Sequence, residues 1–148
     1  MPMTKTETLA RVELFSTLTP KELQVLVQSC QERKYSAGTT IITQGDVGVG
    51  LYVLISGKVR VTRANNADRA EEQLGIVEAV DVLGEMALLD DLPRSATVAA
   101  LEDVAALLLP IWEFRATLRN HPDIALKLLA VLSRRLRRAE VMRSEWCL

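Results

Sequence analysis

Histidine and cysteine, the side chains that build most metal sites and many catalytic centres, are scarce in this sequence. Its 148 residues include one histidine, His121, and two cysteines, Cys30 and Cys147, near opposite ends of the chain. A single imidazole excludes multi-histidine zinc centres, and the cysteines form neither a disulfide framework nor a Cys-x-x-Cys site. Because a Gly-x-x-x-x-Gly-Lys phosphate loop is missing too, we predict a protein that is not an enzyme and holds no metal or cofactor.

An excess of charge and a long apolar run are also missing. Lysine and arginine number 18, and aspartate and glutamate 19, so the net charge is −1, which argues against a DNA-binding surface. The longest apolar stretch, residues 104–111, is far shorter than the ~20 residues that span a bilayer. The first seven residues are too polar for a signal peptide. We therefore expect a cytoplasmic protein of one domain, with no DNA and no membrane among its partners.

The hydrophobic period of the sequence changes twice. Residues 1–30 are predicted to be helical, because Thr19-Pro20-Lys21-Glu22 reads as a capping box and apolar residues follow at helical spacing. Residues 31–110 alternate short apolar runs with glycine and polar turns, as antiparallel strands do. Residues 111–148 return to helical spacing, with a restart at Pro122. This order predicts an α+β, mainly β fold, in which a jelly-roll-like antiparallel β-roll lies between N-terminal helices and a C-terminal helix pair.

One segment, residues 83–97, carries a pattern with chemical meaning. Gly84 and Glu85 open a short predicted helical turn, and Pro93-Arg94-Ser95-Ala96 leads into a strand. Backbone N–H groups at a helix start attract anions, and glycine lets a phosphate approach the backbone closely. Arginine pairs with phosphate oxygens in a bidentate manner, while a carboxylate accepts from a sugar hydroxyl. The segment therefore predicts a cradle for an anionic sugar derivative.

This segment resembles the phosphate-binding cassette of the cyclic nucleotide-binding domain family. The family pattern runs Phe-Gly-Glu-apolar-Ala-Leu, then a short gap, then Pro-Arg-small-Ala. Here residues 83–88 read Leu-Gly-Glu-Met-Ala-Leu, and residues 93–96 read Pro-Arg-Ser-Ala. Residues 51–61 are similar to the central hairpin of the family's β-roll, and residues 120–122, Asn-His-Pro, are similar to its catabolite-activator branch. The resemblance covers nearly the whole chain and implies a stand-alone domain without the DNA-binding region of that branch.

The resemblance also implies which residues contact the ligand. Arg94 would bind the cyclic phosphate, and Glu85 the ribose 2′-hydroxyl. The expected ligand is cAMP, with cGMP as the second choice, because serine rather than threonine follows the arginine. Backbone amides, an apolar wall and a second arginine would complete the site, supplied respectively by Gly84, Ser95 and Ala96, by Val61, Leu74 and Leu83, and by Arg135.

The last helix is expected to carry the signal to an effector protein, because ligand binding would reposition it. Leu129, Leu132, Leu136 and Ala139 recur at the spacing of a short heptad-like seam. This seam predicts a homodimer, and packing of the helix on its own β-roll is the competing interpretation.

Departures from the family pattern support a second hypothesis about function. Residues 77–81 contain no glycine where the family has a glycine-rich turn, so this loop is expected to take a different path. Ala139-Glu140 stands where the catabolite activator has the Thr-Ser pair that holds adenine. The alternative is therefore a ligand-free member of the fold that serves as a protein interaction or dimerisation module.

Overall fold

The N-terminal helices begin at threonine caps. The structure, a computed structural model, describes residues 4–64, 71–78, 82–83 and 93–143. Helix α1 (Lys5–Ala10) begins after Thr4, whose side chain accepts from the backbone N–H of Glu7. A 3-10 turn (Glu13–Phe15) and helix α2 (Pro20–Val27) follow. The capping box predicted at Thr19 and Glu22 is confirmed, since both of its reciprocal hydrogen bonds are present.

Within the described ranges, eight antiparallel strands follow and form two four-stranded sheets. The first sheet has the order β1-β8-β3-β6, and the second has the order β2-β7-β4-β5. Each sheet combines strands distant in sequence, as in a roll, and the predicted α+β fold with an antiparallel β-roll is confirmed. The strands are β1 (Gln31–Tyr35), β2 (Thr40–Ile42), β3 (Gly50–Ser56), β4 (Lys58–Ala64), β5 (Glu71–Glu78), β6 (Val82–Leu83), β7 (Thr97–Ala100) and β8 (Val104–Pro110).

Gly57 makes the tight connection between the two sheets, where β3 turns into β4. Its φ of 96° lies in the left-handed region, which residues with a Cβ rarely adopt. A Cβ at this position would also collide with the backbone of Asp103 and Val104. The backbone conformation and the lack of space therefore both require glycine at this turn.

The apolar core has two parts, one on each side of the first sheet. One part joins the helices to the sheet and includes Phe15, Leu51, Leu107 and Phe114, each exposed by no more than 1%. The other part fills the space between the two sheets, around Leu54, Val59, Ala106 and their neighbours. Strands β3 and β8 contribute to both parts, because successive side chains of a strand point to opposite faces.

The C-terminal helices cover the first sheet. Helix α3 (Ile111–Asn120) follows β8 directly, and helix α4 (Pro122–Arg143) restarts after His121. Ile124, Leu128 and Val131 form the buried face of α4. Within the described part of the chain, no helix is both long and apolar enough to cross a membrane.

The seam predicted on α4 lies beside this buried face. Leu132 is half-buried against the helical core, whereas Leu129 and Leu136 are 60% and 64% exposed. Ala139 is exposed as well. Packing on the β-roll therefore accounts for one of the four seam residues and leaves the others in an exposed stripe.

Ion pairs from three basic residues of α4 tie this helix to the N-terminal helices. Lys127 Nζ lies 2.6 Å from Oε1 of Glu22, and Nε of Arg135 lies 2.9 Å from Oε1 of Glu13. Arg138 shares the same Glu13 oxygen, at 2.6 Å. The two ends of the chain are thus joined by charge as well as by apolar packing.

Candidate ligand-binding site around Arg94

The backbone of Arg94 is fixed by the loop that connects β2 and β3. Its N–H donates to the carbonyl oxygen of Asp46 at 2.8 Å, and its own carbonyl oxygen accepts from the N–H of Gly45 at 2.9 Å. Gln44 is held from the same side, since its N–H donates to Thr97 Oγ1 at 3.0 Å. Backbone hydrogen bonds therefore hold Arg94, which lies just before β7, against a segment about 50 residues earlier in the chain.

The guanidinium of Arg94 is buried, and no carboxylate of the described residues pairs with it. The residue is only 8% exposed, and its Nη2 donates to the carbonyl oxygen of Gly50 at 2.5 Å. Its Nη1 is buried and finds no hydrogen-bond partner among the described residues. Burial lowers the pKa of Arg94 from its ordinary value, because desolvation disfavours the charged form. Arginine nevertheless stays protonated in proteins, so the site holds a cation with a donor to spare, which is the requirement for binding an anion.

A cavity of about 200 Å³ opens beside this guanidinium. Its lining combines the polar residues Arg94 and Ser95 with apolar side chains. Such a combination suits a ligand with an anionic group at one end and a flat apolar body at the other. Five of the predicted site residues line it together, namely Val61, Leu83, Arg94, Ser95 and Ala96.

The cavity is also lined by Ile42 and Val98, which the sequence analysis does not predict as site residues. Val98 had a signal in the sequence, because it follows Ala96 by two positions and so lies on the same face of the strand. Ile42 had none, since only the pairing of β2 with β7 brings it opposite Val98. Both enlarge the apolar wall beside Val61.

The remaining predicted residues are less fully described. Gly84 and Glu85 lie outside the described residues, as does the short helical turn expected there. Of Leu74 the structure describes the backbone, which lies in β5 next to Gly75, the partner of Val61. Val77 and Glu78 belong to the same strand, so β5 takes up the first part of the expected 77–81 loop.

Arg135 lies on α4, and its Nε donates to Glu13. It is not among the described residues that line the cavity. The hydrogen bonds from Arg135 and then Arg138 hold the pKa of the Glu13 carboxyl below its usual value. In this structure Arg135 therefore connects α4 to the 3-10 turn.

No group of three or more histidine, cysteine, aspartate or glutamate side chains suited to a metal ion occurs in the described ranges. The site is thus defined by an arginine, backbone donors and an apolar wall on a β-roll. That combination is typical of a small-molecule binding site.

Comparison with known proteins gives the family. The model of the cyclic nucleotide-binding domain matches residues 32–121, and the chain belongs to that family. It is 39% identical over 128 residues to the Cyclic AMP receptor protein of Thermus thermophilus, covering 86% of this chain and 59% of that protein. The chain thus spans about three-fifths of the length of this relative.

Solved structures agree with this assignment. The N-terminal domain of a transcriptional regulator from Streptomyces coelicolor is 35% identical, with a TM-score of 0.82, covering 89% of this chain and 94% of that one. The regulatory domain of Toxoplasma gondii PKA, solved with cAMP, is 32% identical with a TM-score of 0.71. That match covers 76% of this chain and 42% of the other. The predicted family is therefore confirmed from sequence and from fold.

Proposed function

We propose that this chain is a regulatory module that binds cAMP and passes the signal on through α4. The observation that carries the proposal is the Arg94 guanidinium, which is buried at a cavity wall with Nη1 lacking a partner among the described residues. A buried cation without a counter-ion is costly, and an anionic ligand would relieve that cost. The similar Cyclic AMP receptor protein of Thermus thermophilus and the Toxoplasma gondii PKA regulatory domain solved with cAMP support this choice of anion.

The cyclic phosphate would lie against Arg94, Ser95 and Ala96. Arg94 would donate to an exocyclic phosphate oxygen through Nη1, while Nη2 remains on Gly50. Ser95 is exposed at the cavity and would donate through its hydroxyl and its backbone N–H. By the resemblance to the family, Gly84 would add a backbone N–H and the Glu85 carboxylate would accept from the ribose 2′-hydroxyl.

The base would lie on the apolar wall. Val61, Leu83 and Val98 offer a surface of branched side chains suited to the face of a purine, and Leu74 would extend it. This wall supplies little hydrogen-bonding discrimination between adenine and guanine. A guanine amino group would gain only the single hydroxyl of Ser95, so we expect a modest preference for cAMP over cGMP.

A conformational change at Arg94 would be transmitted to the C-terminal helices through a few covalent and hydrogen bonds. Gly50, which accepts from Arg94, pairs with Pro110, the residue that caps α3. The N–H of Ile111 donates to the carbonyl oxygen of the neighbouring Val49 at 2.9 Å. A ligand shifts a conformational equilibrium only through contacts that differ between its states. The contact between the phosphate and Arg94 would be one that differs between the two states, and its effect would reach the start of α3. A contact between the ligand and Arg135 would be a second, on α4.

The exposed stripe on α4 would form a homodimer interface. Leu129 and Leu136 are each at least 60% exposed on one side of the helix, with half-buried Leu132 between them. A parallel or antiparallel partner helix would cover these side chains at coiled-coil spacing. The effector protein would then recognise the helix pair in one of its two orientations.

Calorimetric titration of the purified chain with cAMP and with cGMP tests the proposal. We expect saturable one-to-one binding of cAMP and weaker binding of cGMP. Binding of neither nucleotide would contradict the proposal and favour the interaction-module alternative, which the exposed stripe on α4 supports. cGMP binding tighter than cAMP by more than about tenfold, or 1.4 kcal/mol, would contradict the expected base preference alone.

A further inference from the structure

The guanidinium of Arg94 lies directly over the backbone of Gly48. A Cβ at position 48 would overlap the Nε, Cζ and Nη2 atoms of Arg94. Gly48 and Arg94, with Tyr52 and Thr43, line a cavity of about 160 Å³. Arg94 therefore lines both this cavity and the cavity of about 200 Å³ beside Ser95.

The φ of Gly48 is not in the left-handed region, unlike that of Gly45 (90°) in the same loop. An alanine at position 48 would therefore meet no backbone strain. The three atoms nearest to its methyl group would all belong to the Arg94 guanidinium, the far end of a long side chain. The lack of a side chain at position 48 thus matters for where the guanidinium lies, rather than for the loop's own conformation.

We propose that Gly48 is a positioning residue for the ligand: its bare backbone lets the Arg94 guanidinium lie flat on the β2–β3 loop, bonded to Gly50, with Nη1 directed to the phosphate. The inference rests on the proposed function and adds a residue to it. Held in this way, the guanidinium loses little conformational freedom when the phosphate arrives, which strengthens binding. Displaced by a methyl group, it loses the Gly50 bond and its fixed orientation.

Gly48→Ala is the test, with Val47→Ala as the matched control. Val47 is the adjacent residue in the same loop, and its side chain is 71% exposed. We expect Gly48→Ala to weaken cAMP binding by about tenfold or more, the size of a lost charge-assisted hydrogen bond. Val47→Ala should bind as the wild type does. Equal affinities of Gly48→Ala and wild type would overturn the proposal.

The ratio of affinities for the two phosphorothioate diastereomers of cAMP distinguishes a positioning role of Gly48 from a merely structural one. Each carries sulfur in place of one exocyclic oxygen, and a fixed guanidinium penalises sulfur at the oxygen it binds. The wild type should therefore discriminate between the diastereomers, and Gly48→Ala should bring the ratio of their affinities closer to one. A general loosening of the fold would weaken both ligands alike and leave the ratio unchanged, which would overturn the positioning role.

A stability cycle tests the Gly48–Arg94 contact without any ligand. Gly48→Ala should lower the Tm of the wild type, because a buried guanidinium must move. In an Arg94→Ala background the same change should leave Tm unchanged or raise it, since alanine restricts the unfolded chain. The same Tm shift in both backgrounds would overturn the contact. Failure of the wild type to bind any cyclic nucleotide, with the cycle behaving as expected, would instead identify the proposed function as the part that fails.

Discussion

Nη2 of Arg94 donates to the carbonyl oxygen of Gly50 at 2.5 Å, a hydrogen bond that joins residues 44 positions apart. It places the cation of the site on the first residue of β3, and β3 pairs with β8 directly before α3 begins. One hydrogen bond thus connects the group that would bind phosphate with the strand end from which the C-terminal helices start.

Glu85→Gln should weaken cAMP binding less than Arg94→Ala does. The glutamine amide oxygen can still accept from the ribose 2′-hydroxyl, whereas a neutral acceptor loses the charge assistance of a carboxylate. Titration of both variants under one set of conditions measures the difference. Equal losses would indicate that Glu85 supports the conformation of residues 83–97 rather than the sugar.

Leu129→Asp/Leu136→Asp should dissociate the proposed homodimer. Both side chains are exposed in the single chain, so the substitutions leave the core intact, whereas Leu132 packs against the core and is unsuitable. Sedimentation equilibrium with and without cAMP measures the association. Leu101→Asp, at a leucine that is 37% exposed outside α4, is the control.

Salt gives a second check on the same interface. Arg134 and Arg137 flank the stripe, so two parallel helices would repel each other through them, and added salt should strengthen the dimer by screening that repulsion. A chain that sediments as a monomer under every condition would contradict the interface and leave α4 as an intramolecular cover.

Acid should loosen the attachment of α4. Hydrogen bonds from Arg135 and Arg138 lower the pKa of Glu13, and a hydrogen bond from Lys127 is the main cause of the lowered pKa of Glu22. A carboxyl with a lower pKa in the folded state stabilises the fold above its unfolded-state pKa, and this contribution disappears as pH falls through the folded-state value. The loss should therefore occur below about pH 4.5, the ordinary value for glutamate.

Tm measured between pH 3 and 7 tests this sign. Glu13→Gln/Glu22→Gln should lower Tm near neutral pH and make Tm less dependent on pH in the acid range. Glu7→Gln, which removes an acidic side chain outside the ion pairs of Glu13 and Glu22, is the control. A double variant whose pH profile parallels that of the wild type would show that the ion pairs contribute nothing, as many exposed pairs do.

Cys30 should resist alkylation in the folded protein. Burial raises the pKa of its thiol to about 12, and the thiol donates to the carbonyl oxygen of Leu26 at 3.4 Å. Since the thiolate is the reactive species, iodoacetamide at pH 8 should modify the Cys30 peptide slowly in buffer and rapidly in denaturant. Mass spectrometry of that peptide measures both rates, and similar rates would contradict the burial of this thiol.

Local signals in the sequence predict much of this fold. The capping box at Thr19, the turn at Gly57 and the helix restart at Pro122 each depend on neighbouring residues, and each is present. The sequence does not predict strand β1 by itself, because four of its five residues are exposed and polar. Only its pairing with β8 makes it a strand, and pairing between residues 31 and 108 leaves no local pattern.

The site likewise contains residues that a sequence motif predicts and contacts that only the folded chain brings together. Arg94, Ser95 and Ala96 follow one another in the chain, so a motif reveals them. Gly48 and Gly50 contact Arg94 from positions more than 40 residues earlier in the chain, through a bare backbone and a carbonyl oxygen. Neither feature has a side chain to read, and only the three-dimensional structure shows it.

The affinity of Arg94→Ala for cAMP, measured by calorimetry beside the wild type and Arg60→Ala, tests the central claim most directly. Arg60 lies exposed on β4, so its loss removes the same charge from the chain without touching the site. We expect Arg94→Ala to lose about ten- to a hundredfold in affinity while keeping its fold, because hydrogen bonds to charged groups contribute that much. Arg60→Ala should bind as the wild type does. An Arg94→Ala variant that titrates like the wild type would contradict the assignment of Arg94 as the phosphate-binding residue.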